Sequence, residues 1–251
     1  MCSAAKVSRL ETGARKPSLR DVRDLCAIYG VSESEASDLM KLAKEAREQA
    51  WWTRYEDLNL TPYIGLEQDA SAITAYSMYY LHGLVQTEAY AEAIISGIAP
   101  TMDPAVRRER VEARLRRQER LNGERPPSYR LLLDEGVLRR PVGGAAVMGA
   151  QIDHVLRLIA EERVTVQVIP FSVGAYAVFD ISFTLFEFSK PMLSPVVYVE
   201  SLTASQYHER PADITQYRDA IDRIRDSALS PLDSRKWLER ARGTYGDSRF
   251  S

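Results

Sequence analysis

The chain has 251 residues, 45% of them apolar and 27% charged, the balance of an ordinary soluble globular protein. That length suits either one large domain or a small domain attached to a larger one. A net charge of -2 excludes a protein that grips nucleic acid with its whole surface, so any DNA affinity must come from a local basic patch.

In chain order, the first segment reads as short helices. From Ser3 to Leu10, Ala4, Val7 and Leu10 share one face and Gly13 ends the run. Pro17-Ser18 opens a second helix whose stripe of Leu19, Val22, Leu25, Cys26 and Tyr29 stops at Gly30. A third starts at Ser32, which has capping-box spacing to Glu35, and runs toward Trp51-Trp52. After Trp52 the texture predicts a loop from Asn59 to Tyr63, a helix from Glu67 to Tyr79, a break at Leu81–Leu84 and a helix from Thr87 to Ile98. Asp103-Pro104 opens the longest helix, which Asn122-Gly123 ends. Strands are expected at Ser128–Leu133, Val164–Ile169, Ser182–Phe188 and Val196–Glu200, with a helix at Ala146–Ala160 after Gly143-Gly144. Helices return at Pro211–Ser227 and Pro231–Ala241. The expected fold class is α+β: a helical helix-turn-helix remnant at 1–50, a mixed effector domain at 51–232, and a C-terminal helix with a polar tail at 233–251.

Individual signals are modest. Cys2 and Cys26 form no disulfide framework and have no ligand neighbours at zinc spacing, so free thiols in a reducing cytoplasm are expected. No run approaches the roughly 18 apolar residues of a membrane span, and no membrane partner is expected. The helix bearing Arg107, Arg108, Arg110, Arg114, Arg116, Arg117 and Arg120 is interleaved with Glu109, Glu112 and Glu119, which predicts a solvated face. His82, His154 and His208 lack a second histidine at metal spacing, so neither metal nor cofactor is expected. Asp134-Glu135 are adjacent, so in a strand they would face opposite ways; a helix cap or a bridge to Arg139 outweighs catalysis. Nucleophile-elbow, phosphate-loop and dinucleotide motifs are absent.

Between Met1 and Gly30 stand six basic residues (Lys6, Arg9, Arg15, Lys16, Arg20, Arg23) against three acids (Glu11, Asp21, Asp24), a local charge of +3. The string from Lys6 to Gly13, followed by Arg15-Lys16-Pro17-Ser18, resembles the recognition helix and next turn of Xre-type helix-turn-helix regulators of actinobacteria. The resemblance implies that Ser3, Lys6 and Arg9 face base edges or phosphates, with Arg15 and Lys16 on the DNA backbone. It also implies two helices ahead of the recognition helix. The sequence as given starts too late to hold them, so impaired DNA binding is expected.

The resemblance continues to about Pro231 through Tyr63–Glu67, Gly83–Thr87, Arg114, Arg117-Gln118, Asp134–Gly144, Gln151-Ile152, Val166–Phe171 and Tyr198–Ser201. These look like the effector domain of antitoxin-like regulators, which implies a DNA-binding regulator often paired with a small partner protein, with no settled ligand. The expected partners are a small apolar metabolite or a small partner protein, and a homodimer is among the expected assemblies. Two departures stand out: His82 stands where relatives carry proline, and Ala175–Asp180 replaces a glycine-rich loop with aromatic and apolar residues. A remodelled ligand pocket would use His82, Gln86, Tyr176 and Phe179. The rival class is a natural-product cyclase or lyase recruited from this scaffold, with His82, Glu135 and Tyr176 doing acid-base chemistry at neutral pH.

Overall fold

The computed structural model describes residues 3–12, 15, 17–45, 51–52, 55, 61–178, 180–190, 193–201 and 203–246. The chain divides into two compact units, Met1–Arg54 and Tyr55–Ser251.

The first unit carries α1 (Ala4–Glu11), α2 (Leu19–Ile28) and α3 (Glu33–Glu45). Its helix starts are written in the sequence. Ser18 Oγ accepts from the Asp21 amide at 3.1 Å while the Asp21 carboxylate accepts from the Ser18 amide at 3.0 Å. Ser32 and Glu35 repeat the reciprocal pair at 3.3 Å in each direction, satisfying amides that the first turn leaves without carbonyl partners. Gly30, at φ +65, takes the left-handed turn that ends α2.

The second unit is built on a six-stranded mixed sheet in the order β3-β2-β1-β4-β5-β6. Its strands are β1 (Ala72–Ser77), β2 (Ser128–Asp134), β3 (Thr165–Ile169), β4 (Phe183–Glu187), β5 (Val196–Glu200) and β6 (Ser205–His208). β1, β2 and β3 run parallel; β4, β5 and β6 continue from β1 as an antiparallel meander. The parallel half needs crossovers. α5 (Glu88–Ile98) and α6 (Pro104–Gln118) lie between β1 and β2; α7 (Glu135–Arg139) and α8 (Ala145–Ala160) lie between β2 and β3. Ahead of β1 stands α4 (Thr61–Asp69), and after β6 come α9 (Pro211–Ser227) and α10 (Pro231–Thr244).

Period-2 alternation divides the core between the two faces of the sheet. Ile73, Ala75, Tyr129, Leu131, Leu133, Phe186 and Tyr198 share one apolar cluster with Tyr63, Tyr90, Ile152, Val155 and Leu238 from the helices. Tyr76, Leu132, Phe183, Leu185, Val197 and Val199 join Ile214, Ile221 and Ile224 of α9 in the other. The resulting layers bear out the α+β expectation.

Several elements differ from the sequence reading. The helix expected at Glu67–Tyr79 ends at Asp69 and gives way to β1, the strand on which the parallel and antiparallel halves meet. Five residues of the expected loop at 59–63 divide: 59 and 60 lie outside the described residues, and Thr61 already begins α4. α7 and β6 are additional. The segment at 233–251, expected as a helix and tail, contributes a fully buried Leu238, and Tyr245 donates its hydroxyl to the Leu138 carbonyl at 2.7 Å. Gly143 and Gly144 both have positive φ, and a Cβ on Gly143 would lie 2.8 Å from Val147 Cγ1, so the tight entry to α8 requires glycine there.

Candidate functional site

In the first unit, α1 presents Ser3 and Arg9 to solvent, and Arg15 is exposed in the turn that follows. The Arg9 Nε donates back to the Ala5 carbonyl at 3.1 Å. Lys6, expected to read the groove, is partly exposed. Its ammonium bonds the buried Asp21 carboxylate, tying α1 to α2. That bond, with the Ser18 backbone and hydroxyl, holds the Asp21 carboxyl well below the usual carboxylate range. Lys16, the remaining backbone-contact candidate, lies outside the described residues.

In the second unit, two polar networks occupy opposite faces of the sheet. The first centres on α6. Arg117 is buried and pairs with buried Glu67 of α4 through two parallel bonds of 2.8 Å, Nε to Oε1 and Nη2 to Oε2. Burial works against the guanidinium's charge, but the Glu67 carboxylate outweighs it and holds Arg117 above its ordinary range. The Tyr63 ring lies under the same guanidinium, 4.9 Å from its carbon. Beside them, Gln118 Nε2 donates to the Gly83 and Gln86 carbonyls at 3.0 and 2.7 Å, and Arg114 Nη1 donates to Gln86 Oε1 at 2.9 Å. The solvated-face expectation for this helix therefore fails along Arg114, Arg117 and Gln118, which share one side of α6.

His82 completes this network. Tyr63 Oη lies 2.7 Å from its Nε2 and Tyr129 Oη 2.8 Å from its Nδ1. The Leu84 amide, which can only donate, also points at Nδ1 at 3.5 Å, so the assigned tautomer carries its proton on Nε2 and donates to Tyr63. Burial first, then the Arg117 and Arg114 charges, push the imidazole down to about 3. Both ring nitrogens of His82 are thus engaged by tyrosine hydroxyls, and the imidazole is neutral at pH 7. Gln86 is likewise fully engaged: its amide nitrogen donates to the Leu81 carbonyl and its oxygen accepts from Arg114.

The second network lies across the sheet. Tyr76 donates to the Tyr176 hydroxyl at 2.8 Å, and Tyr176 donates to Asp134 Oδ2 at 2.7 Å. Asp134 Oδ1 caps α7 by accepting from the Gly136 amide at 2.7 Å. Glu135 pairs with Arg139 at 2.8 Å and accepts from the Phe171 amide at 2.9 Å. Burial, then the bonds to Tyr76 and Asp134, raise the Tyr176 phenol far above its ordinary range. Val178 nearby has φ 58, an unfavourable conformation for a β-branched residue. Phe179, expected beside Tyr176, lies outside the described residues.

The geometry therefore separates the residues proposed for catalysis. His82 bonds Tyr129, whose side chain shares a face with Leu131 and Leu133; Tyr176 bonds Tyr76 and Asp134 on the opposite face. His82, Glu135 and Tyr176 do not converge on one point. Residues that sequence reasoning missed are the tyrosines stacked along this face: Tyr63 packs edge-on against Tyr198 at 4.6 Å, and Tyr198 meets Tyr207 at 5.2 Å. The buried side of α6 itself had a signal, the recurrence of Arg114, Arg117 and Gln118 at helical spacing.

A shallow groove of about 310 Å³, lined by Ile159, Glu162, Val164, Thr165, Val166 and Pro231, holds no residue of either network. Among the described residues no cluster of three His, Cys, Asp or Glu could hold a metal ion, and no helix is long and apolar enough to cross a membrane.

Compared with known proteins, residues 60–240 match the family described as Domain of unknown function (DUF5753), and residues 1–39 match a helix-turn-helix domain. No curated protein and no solved structure matches the chain.

Proposed function

The chain belongs to the DUF5753 family, and on that premise we propose that it is a DNA-binding regulator of the Xre type, with the large unit serving as its effector domain. The helix-turn-helix match over residues 1–39 carries this reading. The exposed Ser3, Arg9 and Arg15 support it, since polar groups at the surface can meet a groove or its phosphates. Lys6 serves by holding α1 on α2, so it acts on recognition through the shape of the headpiece. A small molecule that binds one arrangement of the effector domain more tightly than another then biases the chain's affinity for DNA.

The test is fluorescence anisotropy of the full chain with the DNA upstream of its own gene, titrated at low and at physiological salt. Sequence-selective binding that weakens with salt, with a slope of about -0.9 per phosphate neutralised, supports the reading. Equal affinity for scrambled DNA, or no binding at low salt, overturns it.

A further inference from the structure

The sheet of the large unit ends at β3, and part of that edge is bare. Its C-terminal part is covered: the Leu229 amide donates to the Val168 carbonyl at 2.8 Å, and the Val168 amide donates to Ser234 Oγ at 2.9 Å. The N–H and C=O of one strand residue point to the same side, and that side alternates along the strand. Since Val168 points away from β2, Val166 and Val164 do too, and among the described residues no main-chain partner meets them there. A groove of about 310 Å³ opens beside them, between Ile159 and Glu162 around the end of α8 and Pro231 at the start of α10. Sheet edges in folded proteins are blunted by lysine, proline or a bulge. The run Thr165-Val166-Gln167 carries neither lysine nor proline, and two of its residues are β-branched.

We propose that a second copy of the chain docks on this edge, β3 against β3 in antiparallel register, joining the two six-stranded sheets into one. A two-fold axis through Thr165 sets Val164 of each copy opposite Val166 of the other, and each such pair exchanges both of its N–H···O bonds. Thr165, exposed in the single chain, then faces its counterpart as a cross-strand pair. The length of the bare edge selects this occupant. An added strand that ran straight on past Val166 would meet Leu229 and Ser234 over Val168, so it has to turn away there. β3 meets that condition, because in this register Val168 of one copy comes opposite Glu162 of the other, where a φ of 56 takes the chain out of the strand. The start of α10 carries Arg235 and Lys236 against Asp233, together with the positive pole of the helix, which suits the Glu162 carboxylate brought beside it. The two grooves face each other across the axis, and their apolar linings, Ile159 and Pro231, leave water together. The inference concerns the large unit and does not rest on the DNA-binding reading.

The experiment is sedimentation velocity of the full chain without DNA, from about 1 to about 100 μM, joined to a cysteine cross-link at the axis. A ladder this short makes a small interface, so a reversible dimer with a dissociation constant on the order of 10 μM is expected. Thr165→Lys sets two like charges directly opposite each other at a position exposed in the single chain. It should weaken the dimer at least about tenfold and leave the circular dichroism spectrum unchanged. Under mild oxidation Thr165→Cys should give a disulfide-linked dimer, since residues at such a non-hydrogen-bonded pair have Cα atoms about 4.5 Å apart, within the span of a disulfide. Glu161→Cys, also exposed but far from the axis, should link no more than the parent chain with its own Cys2 and Cys26. A chain that stays monomeric at about 100 μM, a dimer indifferent to Thr165→Lys, or linking through Glu161→Cys as fast as through Thr165→Cys overturns the proposal. Because no DNA is present, these outcomes are independent of whether the headpiece reads DNA.

Discussion

Replacing Glu67 by glutamine isolates the energetics of the α4–α6 contact. The two side chains are 0% and 6% exposed, for Glu67 and Arg117 respectively, so almost nothing of either charge is left to water. The substitution keeps shape but removes the charge, stranding the Arg117 guanidinium with one neutral acceptor where it had two charged ones. Breaking a buried pair from one side costs about 3–5 kcal/mol. With a urea dependence of about 2 kcal/mol per molar, a 4 kcal/mol loss lowers the unfolding midpoint by about 2 M. Removing both charges together, as Glu67→Leu with Arg117→Met, leaves no stranded ion and is expected to fall within about 1 kcal/mol of the parent. The assay is urea denaturation of the full chain followed by far-UV circular dichroism and tyrosine fluorescence, completed as a double-mutant cycle. A Glu67→Gln midpoint within about 0.3 M of the parent, below 1 kcal/mol at that urea dependence, would refute the reasoning. The pair would then behave as a solvated surface bridge.

Other expectations follow from the same contacts. His82 is depressed to about 3 in the folded chain against about 6.5 unfolded, so below pH 6.5 the unfolded state binds a proton that the native state refuses. Stability should therefore fall by about 2 kcal/mol between pH 7 and pH 5 through this group, and His82→Gln should remove that increment, as denaturation at both pH values will show. Gly83→Ala would set a Cβ 3.2 Å from Arg117 Nη2, which the bidentate bond keeps from yielding; a loss of about 1 kcal/mol is expected by the same denaturation. Tyr176→Phe takes a charged-acceptor bond from Asp134 and should cost about 1.5–2 kcal/mol, with faster proteolysis near residue 176 as the readout. Lys6→Ala should lower the thermal midpoint of the headpiece by circular dichroism and weaken DNA uniformly across sequences. Arg9→Ala should weaken DNA while leaving the headpiece melt unchanged.

The contrast between legible and illegible parts follows from how local their causes are. Helix starts at Ser18, Ser32, Thr87 and Asp103 were readable because each side chain bonds an amide two or three residues away. β1 was misread because Ala72-Ile73-Thr74-Ala75 lacks a clean alternation, and its identity as a strand depends on β2 and β4, which come from distant sequence. Along α6 the arginine run concealed different fates: Arg108 is exposed, while Arg117 is buried against a carboxylate 50 residues earlier. Composition records the charge but not the partner. Asp134 and Glu135 were readable as cap and ion pair, again through near neighbours. The Tyr198–Tyr207 contact was not, since it depends on the pairing of β5 with β6.

The position of β1 has a consequence for how the chain can be cut. Its N-terminal end joins the meander through a Ser71 hydroxyl bond to the Glu187 carbonyl, across 116 residues of sequence. Closing a loop of that length costs about 4 kcal/mol of chain entropy, which the β1–β4 ladder has to offset. A fragment ending at Ile169 would keep β1, β2 and β3 but leave the far side of β1 unpaired, with Ile73, Ala75 and Tyr76 beside a bare row of amides and carbonyls. Such an edge recruits other strands, and the shortened chain would assemble with itself before it folded alone.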